Sequence, residues 1–294
     1  MLHSRSSWFW AMRPQTLVAS TMPVVIGTTM AFSDGVWHWP SALAALLGAA
    51  LIQVGTNLAN DYFDYELGVD ASGRQGPASS LQTGALSPMQ VKWFFIAAFS
   101  LAGLIAVYLT SRAGWPVLLI GVASIISGVI YSAGKKSLAA LGLGDLFVFL
   151  FFGPVACAGT YYVQSFEWNW AVIVAGLAPG FFSTAIIVVN NLRDIDTDKR
   201  AGRRTVAIRF GRAFTRMEYL FCVIAGSLTP VVVYLITGQN PWGIAASLIA
   251  FAFIPNVHAV FTSDKGEVLN PALERTAMLL TLYTFVYSLS WLIL

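Results

Sequence analysis

Two acidic segments hold the side chains best suited to grip a cation: Asn57-Leu-Ala-Asn-Asp-Tyr-Phe-Asp64 and Asn190-Asn-Leu-Arg-Asp-Ile-Asp-Thr-Asp198. Each closes a long apolar stretch. On insertion scales a carboxylate at the centre of a lipid-embedded helix costs about 2.5–3.5 kcal/mol, so such groups mark a functional site by default. On a helix, Asn57, Asn60, Asp61 and Asp64 fall at i, i+3, i+4 and i+7 and share one face, and Asp194 and Asp198, one turn apart, share another. Two such faces turned together would offer a divalent metal oxygen ligands. Basic side chains stand close by: Arg193 and Lys199 in and beside the second segment, Arg74 after the first, and Lys135 four residues beyond Tyr131. Carboxylates facing Arg and Lys suggest a polyanion held through Mg²⁺, which commonly bridges one or two carboxylates to substrate phosphates. A diphosphate fits, and in so lipophilic a chain an isoprenoid tail is the natural thing for it to carry. Neutralising the departing diphosphate would leave an allylic cation for a nucleophile to capture.

The elements that must position these groups are membrane helices. Of 294 residues, 57% are hydrophobic and 11% charged, with mean hydropathy +0.69, far beyond a soluble domain. Continuous runs of about 20 apolar residues, with no strand-like alternation, exclude a β-barrel. The expected fold is an all-α integral membrane protein with nine transmembrane helices, near 14–33, 41–60, 91–111, 115–131, 146–163, 169–190, 219–237, 243–262 and 276–294. With the N-terminus cytoplasmic, sixteen of the seventeen basic residues fall in or beside cytoplasmic connections, Arg112 being the exception. That asymmetry puts the C-terminus on the opposite side and both acidic segments at the cytoplasmic face. The opening stretch, with Trp8, Phe9 and Trp10 and no small-residue cleavage site, reads as an interfacial segment rather than a removed leader. Cys157 and Cys222 both lie in apolar runs, and no Cys/His spacing suggests zinc or a disulfide framework.

The acidic segments are four spans apart, so their helices run in the same direction, and both read Asn-x-x-x-Asp at the exit (Asn60 to Asp64, Asn190 to Asp194). Residues 1–294 therefore read as a single intramembrane domain with a possible four-helix repeat, spans 1–4 and 5–8, plus a ninth helix.

These residues also carry a family resemblance. Asn60-Asp-Tyr-Phe-Asp64 and Asp194-Ile-Asp-Thr-Asp198 resemble the two aspartate motifs of the UbiA superfamily of intramembrane aromatic prenyltransferases, and the chain is most similar to its 1,4-dihydroxy-2-naphthoate branch. Arg13-Pro-Gln-Thr-Leu17, Tyr131 to Lys135, Gly142-Leu-Gly-Asp145, Phe151-Phe-Gly-Pro154, Gly202-Arg-Arg-Thr205 and Leu273-Glu-Arg-Thr276 extend the likeness. The resemblance implies Mg²⁺-dependent transfer of a long prenyl chain from its diphosphate to 1,4-dihydroxy-2-naphthoate, with loss of carbon dioxide and pyrophosphate. Asp61, Asp64, Asp194 and Asp198 would be catalytic and hold metal. Asn57, Asn60, Arg74, Tyr131, Lys135, Asn190, Asn191, Arg193 and Lys199 would bind substrate. Where the wider superfamily places a third acid four residues after Asp64, this chain has Gly68, and Asp70 follows two residues later; Asp70 is taken as a further metal ligand. Other aromatic acceptors (hydroxybenzoate, homogentisate, a chlorophyllide) are the within-family alternatives. The implied setting is the bacterial inner membrane, or a thylakoid, with the site facing the cytoplasm and neither nucleic acid nor an obligate protein partner.

Plainer readings compete. A cation-coupled transporter also places Asp and Asn in spans, but seldom surrounds them with so many Arg and Lys. Arg200, Arg203, Arg204, Arg209, Arg212 and Arg216 read as positive-inside charge against anionic lipid. Asp145, beside a Gly-rich turn, reads as a helix cap holding a basic partner. Asp196 falls off the Asp194–Asp198 face and reads as a solvated acid or a further ligand. The charge asymmetry has a direct test: a reporter fused after Leu294 is expected to be active only on the face opposite the cytoplasm, and cytoplasmic activity would exclude the odd span count.

Overall fold

The computed structural model describes residues 8–68, 79–134 and 136–293, so Asp70, Arg74 and Lys135 lie outside the described residues. The described chain is all helical. Its helices are α1 (Pro14–Ser33), α2 (Trp39–Glu66), α3 (Pro88–Ala113), α4 (Trp115–Ile130), α5 (Gly144–Phe151), α6 (Pro154–Ser165), α7 (Trp170–Ala175), α8 (Leu177–Arg193), α9 (Ile195–Arg200), α10 (Val206–Thr237), α11 (Ile249–Ala252), α12 (Ile254–Thr262) and α13 (Gly266–Leu292). A 3₁₀ turn, Pro241–Leu248, leads into α11.

Among the described residues, seven stretches are long and apolar enough to cross a bilayer: α1, α2, α3, Gly144–Ser165, Trp170–Arg193, α10 and Pro241–Thr262. The two remaining predicted spans are helices of another kind. α4 has 16 residues, about 24 Å at 1.5 Å per residue, shorter than the hydrocarbon core. α13 has 27 residues, but Glu267, Glu274 and Arg275 open it and Thr276, Tyr283, Thr284, Tyr287 and Ser288 lie on its buried face. Large apolar side chains such as Trp93, Leu104, Trp115, Phe221, Leu235 and Phe285 cover the outside, as a lipid surrounding requires. The protein is a membrane protein.

Two boundaries differ from the sequence reading. α2 continues through Glu66, so the acidic segment is helical to its end. The basic connection after Asp198 is largely helix: Thr205 caps α10, and Gly211, at φ 79°, bends it without the left-handed penalty a side chain would carry.

The breaks inside the composite spans set the position of α8. Gly153 separates α5 from α6 and Gly176 separates α7 from α8, and the two breaks meet backbone to backbone. A Cβ at Gly153 would stand 2.6 Å from the Phe149 carbonyl oxygen and 2.7 Å from the Gly180 Cα. Behind them, Phe182 of α8 stacks on Phe253 and meets Tyr283 edge-on, with centroids 5.2 and 5.1 Å away. Gly153→Ala should therefore cost about 1–3 kcal/mol, the range for overpacking a tight core. Gly103→Ala, where a methyl meets nothing within 4 Å, should be neutral or stabilising. Thermal unfolding of the two variants in detergent checks the contrast.

Candidate active site

The ends of α2 and α8 bring the two acidic segments onto one cavity. Asn57, Asn60 and Asp64 of α2 line it with Asn190, Asn191, Asp194 and Asp198, together with Arg13, Tyr131 and Arg203. On the second segment the helix breaks at Asp194, but the Asp198 amide still donates to the Asp194 carbonyl oxygen at 2.8 Å. This i to i−4 bond, the first of α9, keeps the two carboxylates on one side. Asp196 points away, exposed, and pairs with Arg212 at 2.8 Å.

Buried carboxylates need partners, and here guanidinium groups supply them. Arg203 bonds Asp64 from one nitrogen and Asp198 from the other, the latter at 3.0 Å, joining the two segments across the cavity. Burial pushes the Asp198 carboxyl up to about 6, against the pull of Arg203. A carboxyl so placed gains more from a second cation than an exposed one does.

Arg13 is the second guanidinium. It occupies the left-handed region at φ 51°, directly before Pro14, and from there bonds Asp61 and, at 3.0 Å, Asn60 Oδ1. A non-glycine residue in that region costs on the order of 1 kcal/mol and persists where its surroundings hold it. Asp61 thus stands behind Arg13, and Arg13 meets the cavity.

The amides are braced. Asn60 Nδ2 donates to Ser132 Oγ at 2.7 Å, and Asn57 Nδ2 donates to the Met12 carbonyl and to Thr16 Oγ1, both at 2.8 Å. Asn191 Nδ2 donates to Asp145 at 3.1 Å, so the partner of Asp145 is an amide rather than the expected basic group. Arg193 is fully engaged: it grips Asp194 through two bonds (2.9 and 2.6 Å) and also donates to Asn190 at 2.6 Å and Asn270 at 2.7 Å. Its expected place against substrate is taken by a bracing role, because the carboxylate beside it is buried and needs a counter-charge. Lys199 is exposed and off the cavity wall.

Arg13 and Arg203 line the cavity, although the sequence reading gave neither a site role. The signal was their position within Arg13-Pro-Gln-Thr-Leu17 and Gly202-Arg-Arg-Thr205; the charge-bias reading of Arg203 hid it.

The polar cavity meets a second, apolar one, and Gln53, Thr56, Tyr131, Val148 and Phe152 line both. The apolar cavity runs between α2, α3, α4 and Gly144–Ser165, past Phe147 and Phe151 to Val163. Tyr161, Tyr162 and Phe182 are not on its wall: Tyr161 donates to Asp34 at 2.6 Å, Tyr162 stacks on Trp168, and Phe182 is in the core.

Comparison with known proteins identifies the family. Residues 20–282 match the UbiA prenyltransferase family. The chain belongs to that family. It is 32% identical over 289 residues to the 1,4-dihydroxy-2-naphthoate octaprenyltransferase of Escherichia coli (strain K12), covering 95% of this chain and 94% of that one. With the enzyme of the same name from Mycobacterium tuberculosis it shares 35% identity over 276 residues, 94% of this chain and 93% of the other. A solved UbiA homologue from Archaeoglobus fulgidus, bound to GPP and Mg²⁺, has the same fold: TM-score 0.67 and 19% identity over 96% of this chain and 99% of that one.

Among the described residues of this UbiA chain no three Asp, Glu, His or Cys side chains form a ready metal cluster. The cavity suits Mg²⁺ all the same, because that ion needs only one or two carboxylates when phosphates and waters complete its octahedron. Removing Arg203 should expose the link between guanidinium and cation. Arg203→Gln leaves Asp64 and Asp198 without this counter-charge and is expected to destabilise the metal-free protein by about 3 kcal/mol. Added Mg²⁺ should then raise its melting temperature more than that of the parent chain, a comparison made by thermal scans with and without the ion.

Proposed function

We propose that the chain transfers a prenyl group from a long-chain prenyl diphosphate to 1,4-dihydroxy-2-naphthoate, releasing pyrophosphate and carbon dioxide. One observation carries the reading: the cavity where Arg203 joins the two acidic segments opens directly on a long apolar cavity, at Gln53, Thr56, Tyr131, Val148 and Phe152. A diphosphate head and an isoprenoid tail need that pair of environments side by side. The acceptor follows from the relatives named above.

In this reading Asp64, Asp194 and Asp198 hold Mg²⁺, with Asn60 and Asn190 beside them and Asp61 setting Arg13. Mg²⁺ held by these residues would supply positive charge to offset the departing diphosphate. Arg13 and Arg203 add fixed positive charge where the leaving group gathers negative charge. The allylic carbon then lies at the neck between the cavities, with the Phe152 ring at hand for its cationic character. The apolar walls hold the tail and keep out water that would capture the cation.

The balance of the transfer needs no base at the ring carbon. The electron-rich ring forms the new C–C bond as the allylic C–O bond breaks, and pyrophosphate leaves with that electron pair. The carboxylate on the attacked carbon departs as carbon dioxide, and its bonding pair restores the aromatic ring.

Topology and location belong to the same proposal. Counting α4 and α13 as spans gives nine, with the N-terminus and the site on the cytoplasmic side of the inner membrane. Residues 1–294 form one domain of two four-helix units and a ninth helix; the cavity shared by α2 and α8, second in each unit, supports this. Asp70, Arg74 and Lys135 remain candidates for metal and phosphate binding.

Asp64→Asn and Asp194→Asn should each lower turnover about a hundredfold or more, the scale for removing one electrostatic stabiliser of a transition state. EDTA should mimic both changes reversibly. Pyrophosphate release by purified protein, dependent on the aromatic acceptor, is the assay, and normal rates in folded variants would falsify the assignment.

A further inference from the structure

Two buried polar atoms on the cavity wall have no hydrogen-bond partner among the described residues: Gln53 Oε1 and Ser183 Oγ. Gln53 is 6% exposed and Ser183 2%. Leaving such an atom unsatisfied costs about 1–3 kcal/mol, so each calls for an explanation.

Neither atom is unpartnered for want of a local solution. Helical hydroxyls usually turn back on a carbonyl one turn earlier. Thr56 does so to Ile52 at 2.8 Å and Thr184 to Gly180 at 2.9 Å. Ser183, next to Thr184, does not. The Gln53 amide is set by a chain of bonds. The Met12 carbonyl can only accept, so Asn57 must present Nδ2 to it and to Thr16. That leaves Asn57 Oδ1 as acceptor for Gln53 Nε2, at 2.9 Å. Gln53, a residue of the cavity wall, is left with its carbonyl oxygen unpaired.

The two residues also occupy matching places. Eleven positions separate Gln53 from Asp64 and Ser183 from Asp194. At 1.5 Å per residue each lies about 16 Å along its helix from the acid. Gln53 borders the apolar cavity as well, and Ser183 borders only the polar one.

The chemistry of the substrates decides what could satisfy them. A prenyl tail has no hydrogen-bonding atom. An ionised diphosphate offers acceptors, which a carbonyl oxygen repels. Of the reactants, the acceptor ring alone brings O–H groups to this depth, and it must come here to reach the allylic carbon at the neck. We propose that Gln53 and Ser183 recognise the aromatic acceptor, Gln53 Oε1 accepting a hydrogen bond from one ring hydroxyl and Ser183 Oγ pairing with the other. The proposal rests on the aromatic prenyl-transfer reading above. It makes the site selective for a free hydroxyl, because a methyl ether cannot donate and leaves the carbonyl unpaired.

The test uses the purified full chain with 1,4-dihydroxy-2-naphthoate, its two mono-O-methyl ethers and one prenyl diphosphate. Gln53→Met keeps the bulk and removes the acceptor; Ser183→Ala is the milder second variant. Binding of prenyl diphosphate, followed by tryptophan fluorescence, identifies folded protein. In each folded variant KM for the naphthoate should rise about tenfold or more while KM for prenyl diphosphate stays within about twofold, as expected when a recognition hydrogen bond is lost. The preference of the parent chain for the diol over one of the ethers should largely vanish in Gln53→Met. If Gln53→Met fails to bind prenyl diphosphate, Ser183→Ala decides on the same KM criterion. Unchanged acceptor KM and unchanged discrimination in a folded variant would overturn the proposal and leave the two oxygens as water-binding groups only. A parent chain that prenylates no aromatic acceptor would instead overturn the parent reading, and the pair with it.

Discussion

The bond from Arg203 to both Asp64 and Asp198 is the interaction on which the rest of the site depends. Buried carboxylates repel one another and lose their hydration, so two acidic helix ends do not meet unless a cation stands between them. Arg203 fills that place from a short turn after α9, itself tied down where the Arg204 amide donates to the Ala140 carbonyl at 2.9 Å. Arg13 does the same for Asp61 at the start of α1, and Arg193 for Asp194 inside α8. The carboxylates are therefore held by arginines on three different elements, and the cavity they surround has both signs of charge on its walls.

This arrangement suits a reaction in which charge separates. The guanidinium groups and carboxylates are fixed by bonds to each other and to the asparagines, so little reorganisation is needed when a leaving group becomes negative. The neighbouring apolar cavity works in the opposite sense, offering little to ions and much to a hydrocarbon chain. Where they meet, the polar Gln53, Thr56 and Tyr131 line both cavities beside the apolar Val148 and Phe152.

Much of this was legible in the order of residues. The spans predicted for α1, α2, α3, α10 and the composite helices are helices, because runs of apolar residues this long have no other stable form in lipid. Asn57, Asn60, Asp64, Asn190, Asp194 and Asp198 reach one cavity because helical spacing had already put each set on one face. Asp196 falls outside it for the same reason. The glycine-bounded breaks at Gly153 and Gly176 were not visible in hydropathy, which averages over them.

Local spacing alone thus determined the helices, the two oxygen-rich faces and the membrane setting, since each depends only on near neighbours along the chain. Tertiary structure decided the partners. Arg13 lies 48 residues from Asp61 and Arg203 lies 139 from Asp64, and a charge-bias reading sends such arginines to the lipid surface as readily as to a site. Arg193, adjacent to an acid, looked available for phosphate and is instead consumed by four bonds. Gln53 and Ser183 carry no sequence signal at all, because an unsatisfied hydrogen bond is a property of what surrounds an atom in space.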